Sequence, residues 1–381
     1  MRYQHTLLAC HLNLDNLPAS NQDMHIAIPK EVMTGENRVA LTPQACAHLH
    51  RAGHTVAVQH DAGLASGYDD GAYRDAGCRI VDSLAQLYAG AELIVKVKQP
   101  LAQDLACLRA HHTVFGYFHL AADRSLIERL CDIGLTAIAF ESVRDAQGRL
   151  PLLAPMSAIA GRIAVIRGAS LLFRNRDGRG VLLGGIEPGD EQVDHGKVVV
   201  LGAGVAGRHA LTTALGLGAQ CSVFDVDRRK LDALQQRHRA IVTHMSHPDA
   251  VAEACREADL VIGAVLVAGR RAPVVLTETM LQAMQPGSVV IDIAIDQGGC
   301  VENSEVTDSQ TTYKVRHGVL LSAVPNMPAA VPRTATQALS AAIADYVLCL
   351  ANGQDDASLE AATAIRGGRI VDAVLREETA A

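Results

Sequence analysis

A glycine-rich turn between a short apolar run and a helical segment constrains the fold of this chain more than any other feature. Residues 198–201 (VVVL) lead directly into GAGVAG at residues 202–207, and an alanine- and leucine-rich stretch follows. The first glycine permits a tight turn, the second lets backbone N–H groups approach a pyrophosphate, and the third lets the helix pack closely on the strand. This order of strand, turn and helix predicts a Rossmann unit that binds a dinucleotide.

An acidic residue stands where the ribose of such a dinucleotide is expected. A second predicted strand, Gln220 to Phe224, ends at Asp225, about twenty residues after the turn. The carboxylate can accept hydrogen bonds from both hydroxyls of the adenosine ribose and repels a 2′-phosphate, which favours NAD over NADP. Arg228, Arg229 and Lys230 follow closely and soften that repulsion, so the preference for NAD is not exclusive. A glycine turn without a ligand is the alternative, disfavoured because strand, helix and acid stand in register.

Composition excludes several classes of protein. The chain has 381 residues, 49% of them hydrophobic, and a net charge of −7, which offers no basic face to nucleic acid. Its nine cysteines are scattered singly and its histidines lack paired metal spacing, so we expect reduced thiols, a cytoplasmic location and no bound metal. No run reaches transmembrane length, so we expect no membrane partner.

Alternating helices and strands divide the chain into two domains. Residues 24–151 read as a βαβ series without a glycine fingerprint, whereas residues 152–327 carry it. A helix predicted at Thr334–Leu350 returns to the first domain, so residues 328–381 are grouped with 24–151. Residues 1–23 are predicted to be an extension, and residues 355–381 a weakly helical tail. The predicted fold class is α/β, with two doubly wound parallel-sheet domains, the second a Rossmann dinucleotide-binding domain, and a cleft between them.

Four charged or titratable residues follow predicted strands and are expected to meet in that cleft. Arg38 follows the first strand, Lys98 a strand at 92–96, His119 a strand at 113–117, and Asp296 a strand at 288–293. The guanidinium of Arg38 and the ammonium of Lys98 suit a substrate carboxylate, and an imidazole carries protons near neutral pH. Asp296 can steady an imidazolium or reach the nicotinamide ribose. Each of these residues taken alone is more often solvated or structural, and their common position at strand ends favours function.

Several blocks of sequence match one family in order and spacing from about Met24 to Leu350. They are NRVALTP (37–43), KVKQP (96–100), HLAAD (119–123), LPLLAPMS (150–157), GAGVAG (202–207), ADLVIGAVL (258–266), DIAIDQGG (292–299) and PNMPAAVPRT (325–334). With these blocks the chain resembles the alanine dehydrogenase and transhydrogenase α-subunit family, and within it L-alanine dehydrogenase.

The resemblance implies NAD-dependent reversible oxidative deamination of L-alanine to pyruvate and ammonia, usually by a homohexamer. It implies that Arg38 and Lys98 hold the substrate and that His119 and Asp296 form the catalytic pair. Hydride transfer from the alanine Cα would give an iminium, which water attacks with the help of His119. The implied cofactor-binding residues are Ser157, Gly202, Gly204, Val205, Ala206, Gly207, Asp225, Lys230, Ser246, Val265, Leu266, Ile293, Ala294, Ile295, Asp296, Val324, Pro325, Asn326 and Met327.

The chain departs from the family pattern at a few positions. Gln99, Ala158, Arg271 and Glu305 stand where the family has Glu, Glu, Lys and Arg, and the loop at 187–196 is longer. These departures concern coenzyme affinity, subunit contacts and the choice of amino acid. They leave Arg38, Lys98, His119 and Asp296 unchanged.

Three alternatives remain open from the sequence. The first is a coenzyme-binding subunit of a proton-translocating transhydrogenase, which is disfavoured by HLAAD and IDQGG. The second is a dehydrogenase for another small L-amino acid, because one methylene changes preference by only about 1–3 kcal/mol. The third is a nucleotide-binding protein that has lost turnover, which the intact set of four charged residues disfavours.

Overall fold

The computed structural model describes residues 23–186, 193–266, 271–308 and 312–380. Residues 1–22 of the predicted extension, and residues 187–192 of the loop expected to be longer than in the family, lie outside this part of the chain. The strands are β1 (His25–Ile28), β2 (Thr55–Gln59), β3 (Arg79–Val81), β4 (Leu93–Val95), β5 (Thr113–Gly116), β6 (Thr136–Ala139), β7 (Lys197–Leu201), β8 (Gln220–Asp225), β9 (Val242–Met245), β10 (Leu260–Gly263), β11 (Val289–Asp292), β12 (Lys314–Arg316), β13 (Val319–Ser322), β14 (Thr363–Arg366) and β15 (Arg369–Ile370).

Helices separate most of these strands. They are α1 (Pro43–Arg51), α2 (Asp70–Asp75), α3 (Leu84–Ala89), α4 (Ala102–Cys107), α5 (Arg124–Ile133), α6 (Ala154–Leu171), α7 (Val205–Gly216), α8 (Arg228–Arg237), α9 (Pro248–Glu257), α10 (Glu278–Ala283), α11 (Pro332–Ala351), α12 (Ala357–Ala362) and α13 (Ala373–Ala380). Side-chain caps fix where several of them begin. The Thr42 side chain accepts a hydrogen bond from the Ala45 N–H before Pro43 opens α1, as predicted, and Asp123 caps α5.

The first sheet has the strand order β15-β14-β6-β5-β4-β1-β2-β3 in the described residues. Its central pair, β1 and β4, is parallel, with Ile26 opposite Leu93 and Ala27 opposite Ile94. From this pair the chain continues outward in both directions, through β2 and β3 on one side and β5 and β6 on the other. The loops after β1 and β4 therefore part at this point, and a crevice opens at the carboxyl ends of the two strands.

The second sheet has the order β12-β13-β11-β10-β7-β8-β9 in the described residues. Here β7 and β10 form the central parallel pair, with Val199 opposite Val261. Their interior positions are apolar and buried on both faces, which is the pattern of a parallel sheet covered by helices. The glycine turn follows β7 at the point where the strand order reverses, so the predicted Rossmann arrangement is confirmed.

Long apolar helices lie beside both sheets. Helix α6 packs on α7 and α11, and α11 buries Ala335, Leu339, Ile343 and Val347 in the core of the first sheet. Contrary to the sequence expectation, α11 is long and apolar enough to cross a membrane by length and composition, but half of that stretch is buried inside the protein. Burial of this kind is what a core helix of a globular domain shows.

The structure corrects the sequence prediction at the edges of both sheets. The tail beyond residue 355, predicted to be weakly helical, does contain α12 and α13, but it also contributes two strands. Strand β14 extends the first sheet antiparallel to β6, and β15 pairs antiparallel with β14. The strand β12 was not predicted and pairs antiparallel with β13. The sheets are therefore mostly parallel rather than wholly parallel. The short helix α4 was also missed, and the proposed domain boundaries stay predictions.

Candidate active site

The glycine turn has the geometry of a pyrophosphate cradle. Gly202 has φ +105°, and a Cβ there would lie 2.6 Å from the carbonyl oxygen of Ala264. A Cβ on Gly207 would collide with the carbonyl oxygen of Gly202, so a side chain is excluded where α7 meets the turn. At Gly204 a Cβ would meet nothing within 4 Å, and α7 begins at the next residue. The first N–H groups of α7 have no acceptor within the helix, so this helix end suits an anionic group.

Close packing of two helices supports the same turn from behind. A Cβ on Gly161 of α6 would collide with the backbone carbonyl of Ala206 in the first turn of α7. The two backbones therefore touch, and the N-terminus of α7 is fixed against a second long helix. Ser157 lies one turn earlier on α6, half-buried near the same helix end.

Asp225 is buried at the end of β8 and is already bonded to the turn. Its Oδ2 accepts a hydrogen bond from the Ala203 N–H at 2.7 Å, and its Oδ1 accepts one from the Asp227 N–H at 2.8 Å. Lys230 Nζ lies 3.6 Å from the same carboxylate. A carboxylate has about four acceptor sites, so two of them remain for ribose hydroxyls. Lys230, by contrast, partly neutralises the negative charge that would repel a 2′-phosphate.

The remaining residues of the predicted coenzyme set also lie at the carboxyl edge of the second sheet. Ser246 follows β9, with its N–H donated to the carbonyl of Asp225 at 3.0 Å, and Val265 and Leu266 follow β10. Residues 293–296 follow β11 in a short 3-10 helix, and residues 324–327 follow β13. One edge of one sheet therefore carries the whole set, apart from Ser157 on α6.

Arg38 lies in the loop after β1, and its side chain is 98% buried. The fork is bonded to Glu36, with Nε to Oε1 at 2.7 Å and Nη2 to Oε2 at 2.6 Å. Nη2 also donates to Asn326 Oδ1 at 2.7 Å, and Nη1 contacts Met156 Sδ at 3.0 Å. From the sequence, this guanidinium was predicted to bind a substrate carboxylate. The Nε and Nη2 positions are taken by protein acceptors, and Nη1 faces the weak acceptor sulfur of Met156.

Lys98 lies two residues beyond Lys96, in the segment after β4, and is half-buried. Burial lowers the pKa of its ammonium from the ordinary value of 10.5, and the positive charge of Arg38 lowers it further. Asp296, Glu36 and Glu31 act in the opposite direction. Lys98 therefore lies within electrostatic range of Arg38 in the first sheet domain and of Asp296 after β11.

His119 is the first residue of a tight turn after β5, and its side chain is exposed. Its φ of +51° is left-handed, a conformation rare for residues with a side chain. The Glu141 carboxylate accepts the His119 N–H at 2.6 Å and the Phe118 N–H at 3.2 Å, which holds the turn in this shape. The imidazole lies nearly parallel to the Tyr117 ring, with the ring centroids 6.2 Å apart.

Asp296 and Asn326 connect the second sheet to Arg38. Asp296 is exposed at the end of the short helix after β11, and its carboxylate accepts the Asn326 N–H at 3.2 Å. The side chain of Asn326 reaches the first sheet, where it accepts from Arg38 and donates to Glu36 Oε2 at 2.9 Å. The structure thus links Arg38 to Asp296 through Asn326, and Lys98 lies within electrostatic range of both. His119 follows the adjacent strand β5, and its imidazole contacts Tyr117 rather than any of these three residues.

Three of the four departures from the family pattern have a visible local setting. Glu305 pairs with Lys314 on the surface, and Arg271 lies against Gly298 at the end of the Asp296 turn. Gln99 follows Lys98, and its buried Oε1 has no protein hydrogen-bond partner. Ala158 is half-buried on α6 beside Ser157. Nothing in the structure explains this alanine.

Sequence reasoning missed the carboxylates that support the site. Glu31 and Glu36 lie in a loop whose sequence is polar and indicates a solvated segment, yet both residues are buried. Glu141 follows β6, and no pattern in the sequence marked it as part of the site. The side-chain role of Asn326 was also missed. One available signal was position, because Glu31, Glu36 and Glu141 all follow strands whose carboxyl ends meet at one edge.

Comparisons with known proteins agree with this geometry. The family model "Alanine dehydrogenase/PNT, N-terminal domain" matches residues 27–160, and "Alanine dehydrogenase/PNT, C-terminal domain" matches residues 164–374. The alanine dehydrogenase of Halomonas elongata is 48% identical over 86% of this chain and 88% of its own length. That of Bacillus subtilis is 45% identical over 91% of this chain and 90% of its own.

Solved structures give the same result. A structure titled L-alanine dehydrogenase superposes with a TM-score of 0.89 at 42% identity, over 94% of this chain and 99% of that one. The structure of a transhydrogenase from Sinorhizobium meliloti superposes with a TM-score of 0.80 at 28% identity, over 92% of this chain and 99% of that one. By both domain matches and by these identities, the chain belongs to the alanine dehydrogenase/PNT family.

Proposed function

We propose that this chain catalyses the NAD-dependent, reversible oxidative deamination of L-alanine to pyruvate and ammonia. One observation carries the proposal. Two cations and an imidazole follow the carboxyl ends of β1, β4 and β5, and a 2.7 Å bond from Arg38 to Asn326 joins this edge to the carboxyl edge of the glycine-turn sheet. The names and high coverage of the relatives support the same reaction.

The side chains have distinct roles in this proposal. The Arg38 Nη1 edge and the Lys98 ammonium bind the substrate carboxylate and the carbonyl oxygen that develops on oxidation. The coenzyme, when bound, supplies the hydride acceptor. His119 removes a proton from the water that attacks the iminium carbon, and Asp296 stabilises the imidazolium across the crevice. Orientation by Arg38 and Lys98 can contribute several kcal/mol to the barrier reduction.

We propose NAD rather than NADP as the coenzyme. The buried Asp225 carboxylate, fixed by the Ala203 N–H, keeps acceptor sites for the ribose hydroxyls. The pyrophosphate would lie on the N-terminus of α7, above Gly204. Residues 265–266, 293–296 and 324–327 would surround the nicotinamide half, and Ser157, Lys230 and Ser246 would complete the set of contacts.

The assembly and location are proposed from the family resemblance. We propose a homohexamer in the cytoplasm, with domains at 24–151 plus 328–381 and at 152–327. Exposed apolar residues on and after α6, Ile166 and Phe173, are compatible with subunit contacts. The cysteines that the structure describes, from Cys46 to Cys349, are free thiols, as in reducing compartments.

Formation of NADH from NAD at alkaline pH, in the presence of a panel of small L-amino acids, tests the proposal. We expect the highest kcat/KM with L-alanine and stoichiometric pyruvate and ammonia. A higher value with L-serine or L-2-aminobutyrate would change the substrate. Exchange between pyridine nucleotides without any amino acid would instead indicate a transhydrogenase subunit, and binding of NADH without turnover would indicate a binding protein.

A further inference from the structure

Glu31 is a buried carboxylate that the proposed reaction leaves unused. It lies three residues beyond the end of β1 and is 92% buried. Its Oε1 accepts hydrogen bonds from the backbone N–H groups of Val97 at 2.6 Å and Lys98 at 3.3 Å. Its Oε2 accepts one from Lys96 Nζ at 3.2 Å. A side chain from the first loop therefore bonds the backbone that carries Lys98.

The hydrogen bonds to Glu31 occur where the backbone pairing between β1 and β4 has ended. Backbone pairing between β1 and β4 covers Ile26 with Leu93 and Ala27 with Ile94. Beyond Ile28 the backbone of β1 turns away, and the N–H groups of Val97 and Lys98 lose that neighbour. The Glu31 carboxylate takes over as their acceptor, because buried N–H groups need one.

A second buried carboxylate, Asp104, holds the other end of the segment formed by residues 97–101. Asp104 Oδ2 accepts the Leu101 N–H at 2.8 Å and lies 3.5 Å from Lys96 Nζ. Its Oδ1 accepts the Tyr88 hydroxyl at 2.6 Å. Lys96 is thus shared by two buried carboxylates, one at each end of residues 97–101. The backbone of Lys98 is held between two fixed points.

We propose that Glu31 is a positioning residue for Lys98: it fixes the Lys98 backbone so that the ammonium meets the substrate carboxylate beside Arg38. This inference rests on the proposed function for its substrate. It assigns Glu31 no contact with the reacting atoms. A displacement of 1 Å in such a group can cost on the order of a hundredfold in rate, so a fixed backbone has a functional consequence.

The test compares Glu31→Met, which removes both acceptors, with Glu31→Gln, which keeps an acceptor oxygen. We expect Glu31→Met to raise KM for L-alanine and pyruvate by roughly tenfold or more while KM for NAD and NADH changes by less than about twofold. Glu31→Gln should stay within about threefold of the parent in all four constants. Should Glu31→Met fail to fold, Glu31→Asp replaces it, because its shorter carboxylate cannot reach both N–H groups.

A matched control lies at the opposite edge of the second sheet. Asp259 has the same 8% exposure, accepts the Lys197 N–H at 2.8 Å and pairs with Arg179 at 2.8 Å, but stands at the amino end of β10. Asp259→Leu should lower Tm as Glu31→Met does and leave KM for pyruvate unchanged. A rise in KM for pyruvate in both variants would overturn the proposal, because loss of stability alone would then explain it.

Hydrogen exchange of residues 97–101 gives a readout that does not depend on turnover. We expect faster exchange in Glu31→Met than in the parent, and near-parental exchange in Glu31→Gln. Unchanged exchange, or faster exchange with unchanged KM, would overturn the positioning role. The two conclusions can be distinguished. If the parent protein does not oxidise L-alanine, the proposed function is refuted, whereas faster exchange in Glu31→Met would still show that Glu31 holds residues 97–101 in place.

Discussion

The two pairs of residues proposed to act on the substrate differ sharply in how they are held. Arg38 is almost fully buried and its fork is bonded to Glu36 and Asn326, and Lys98 stands on a segment fastened by Glu31. His119 and Asp296 are exposed, and what fixes them is mainly backbone: the turn bonded by Glu141 and the N–H of Asn326. The anchors are therefore preorganised, whereas the groups that move protons need space to meet water and coenzyme.

The largest expected effect comes from the proton-handling pair. Replacing His119 removes the imidazole, and general acid–base catalysis contributes about 10²–10⁴-fold. His119→Asn is preferred to His119→Ala because asparagine tolerates the left-handed backbone at this position. We expect kcat to fall by that factor while the Kd for NADH stays within about twofold. Parental turnover in either variant would remove His119 from the mechanism.

Replacing Arg38 or Lys98 should change substrate binding rather than proton transfer. Arg38→Lys keeps the charge but cannot form the two-pronged pair with Glu36, so both the guanidinium position and Glu36 are disturbed. We expect KM for pyruvate to rise roughly tenfold or more and Tm to fall, because buried charges that lose a partner are costly. Initial rates of NADH oxidation over a range of pyruvate concentrations separate KM from kcat. An unchanged KM would mean that the substrate does not use Arg38.

Replacing Asp225 tests how the protein binds the coenzyme and distinguishes NAD from NADP. Asp225→Ala removes the acceptor for the ribose and for the Ala203 N–H, and a hydrogen bond to a charged group contributes about 1.5–3 kcal/mol. We expect the Kd for NAD to rise about tenfold and the ratio of NADP to NAD affinity to increase. Asp225→Asn keeps an acceptor for Ala203 and should show the loss of discrimination with a smaller loss of affinity. Equal affinities before and after would refute the ribose role.

The smallest expected effect is a pH dependence that belongs to Lys98. Burial and Arg38 lower the pKa of its ammonium below 10.5, so the charge is lost at lower pH than in an exposed lysine. Pyruvate remains anionic throughout this range. Its affinity for the enzyme–NADH complex, titrated without ammonia, should therefore weaken as pH rises through that lowered pKa.

Lys98→Arg is the control for this titration, because a guanidinium stays charged in the same range. The alkaline weakening of pyruvate affinity should be absent in this variant. If pyruvate affinity still weakens at alkaline pH in Lys98→Arg, another group is responsible, and the assignment of this pH dependence to Lys98 is contradicted.

Much of the site could be predicted because the ends of the strands can be recognised in the sequence. Arg38, Lys98, His119 and Asp296 each follow a short apolar run, and parallel strands bring their carboxyl ends to one edge. The Rossmann turn could be recognised because its glycines stand at fixed spacing between an apolar strand and a helical segment. These inferences need only the order of the elements.

The rest depends on tertiary contacts that no local pattern contains. Glu36 stands two residues from Arg38 in a polar loop, and only the approach of Asn326 from the other sheet buries the pair. Residues 363–366 (TAIR) are too short to be distinguished from a helix end, and they become β14 because β6 offers an unpaired edge. The left-handed turn at His119 likewise depends on Glu141, 22 residues away.

A crystal structure with NAD and pyruvate bound would show whether the four residues act on the substrate as proposed. We expect the pyruvate carboxylate on Arg38 Nη1 and Lys98 Nζ, with its carbonyl carbon facing C4 of the nicotinamide. We expect the His119 imidazole within hydrogen-bond reach of the carbonyl oxygen or of a water beside it. Pyruvate bound elsewhere, or these three side chains far from the nicotinamide ring in every bound form, would contradict the proposal.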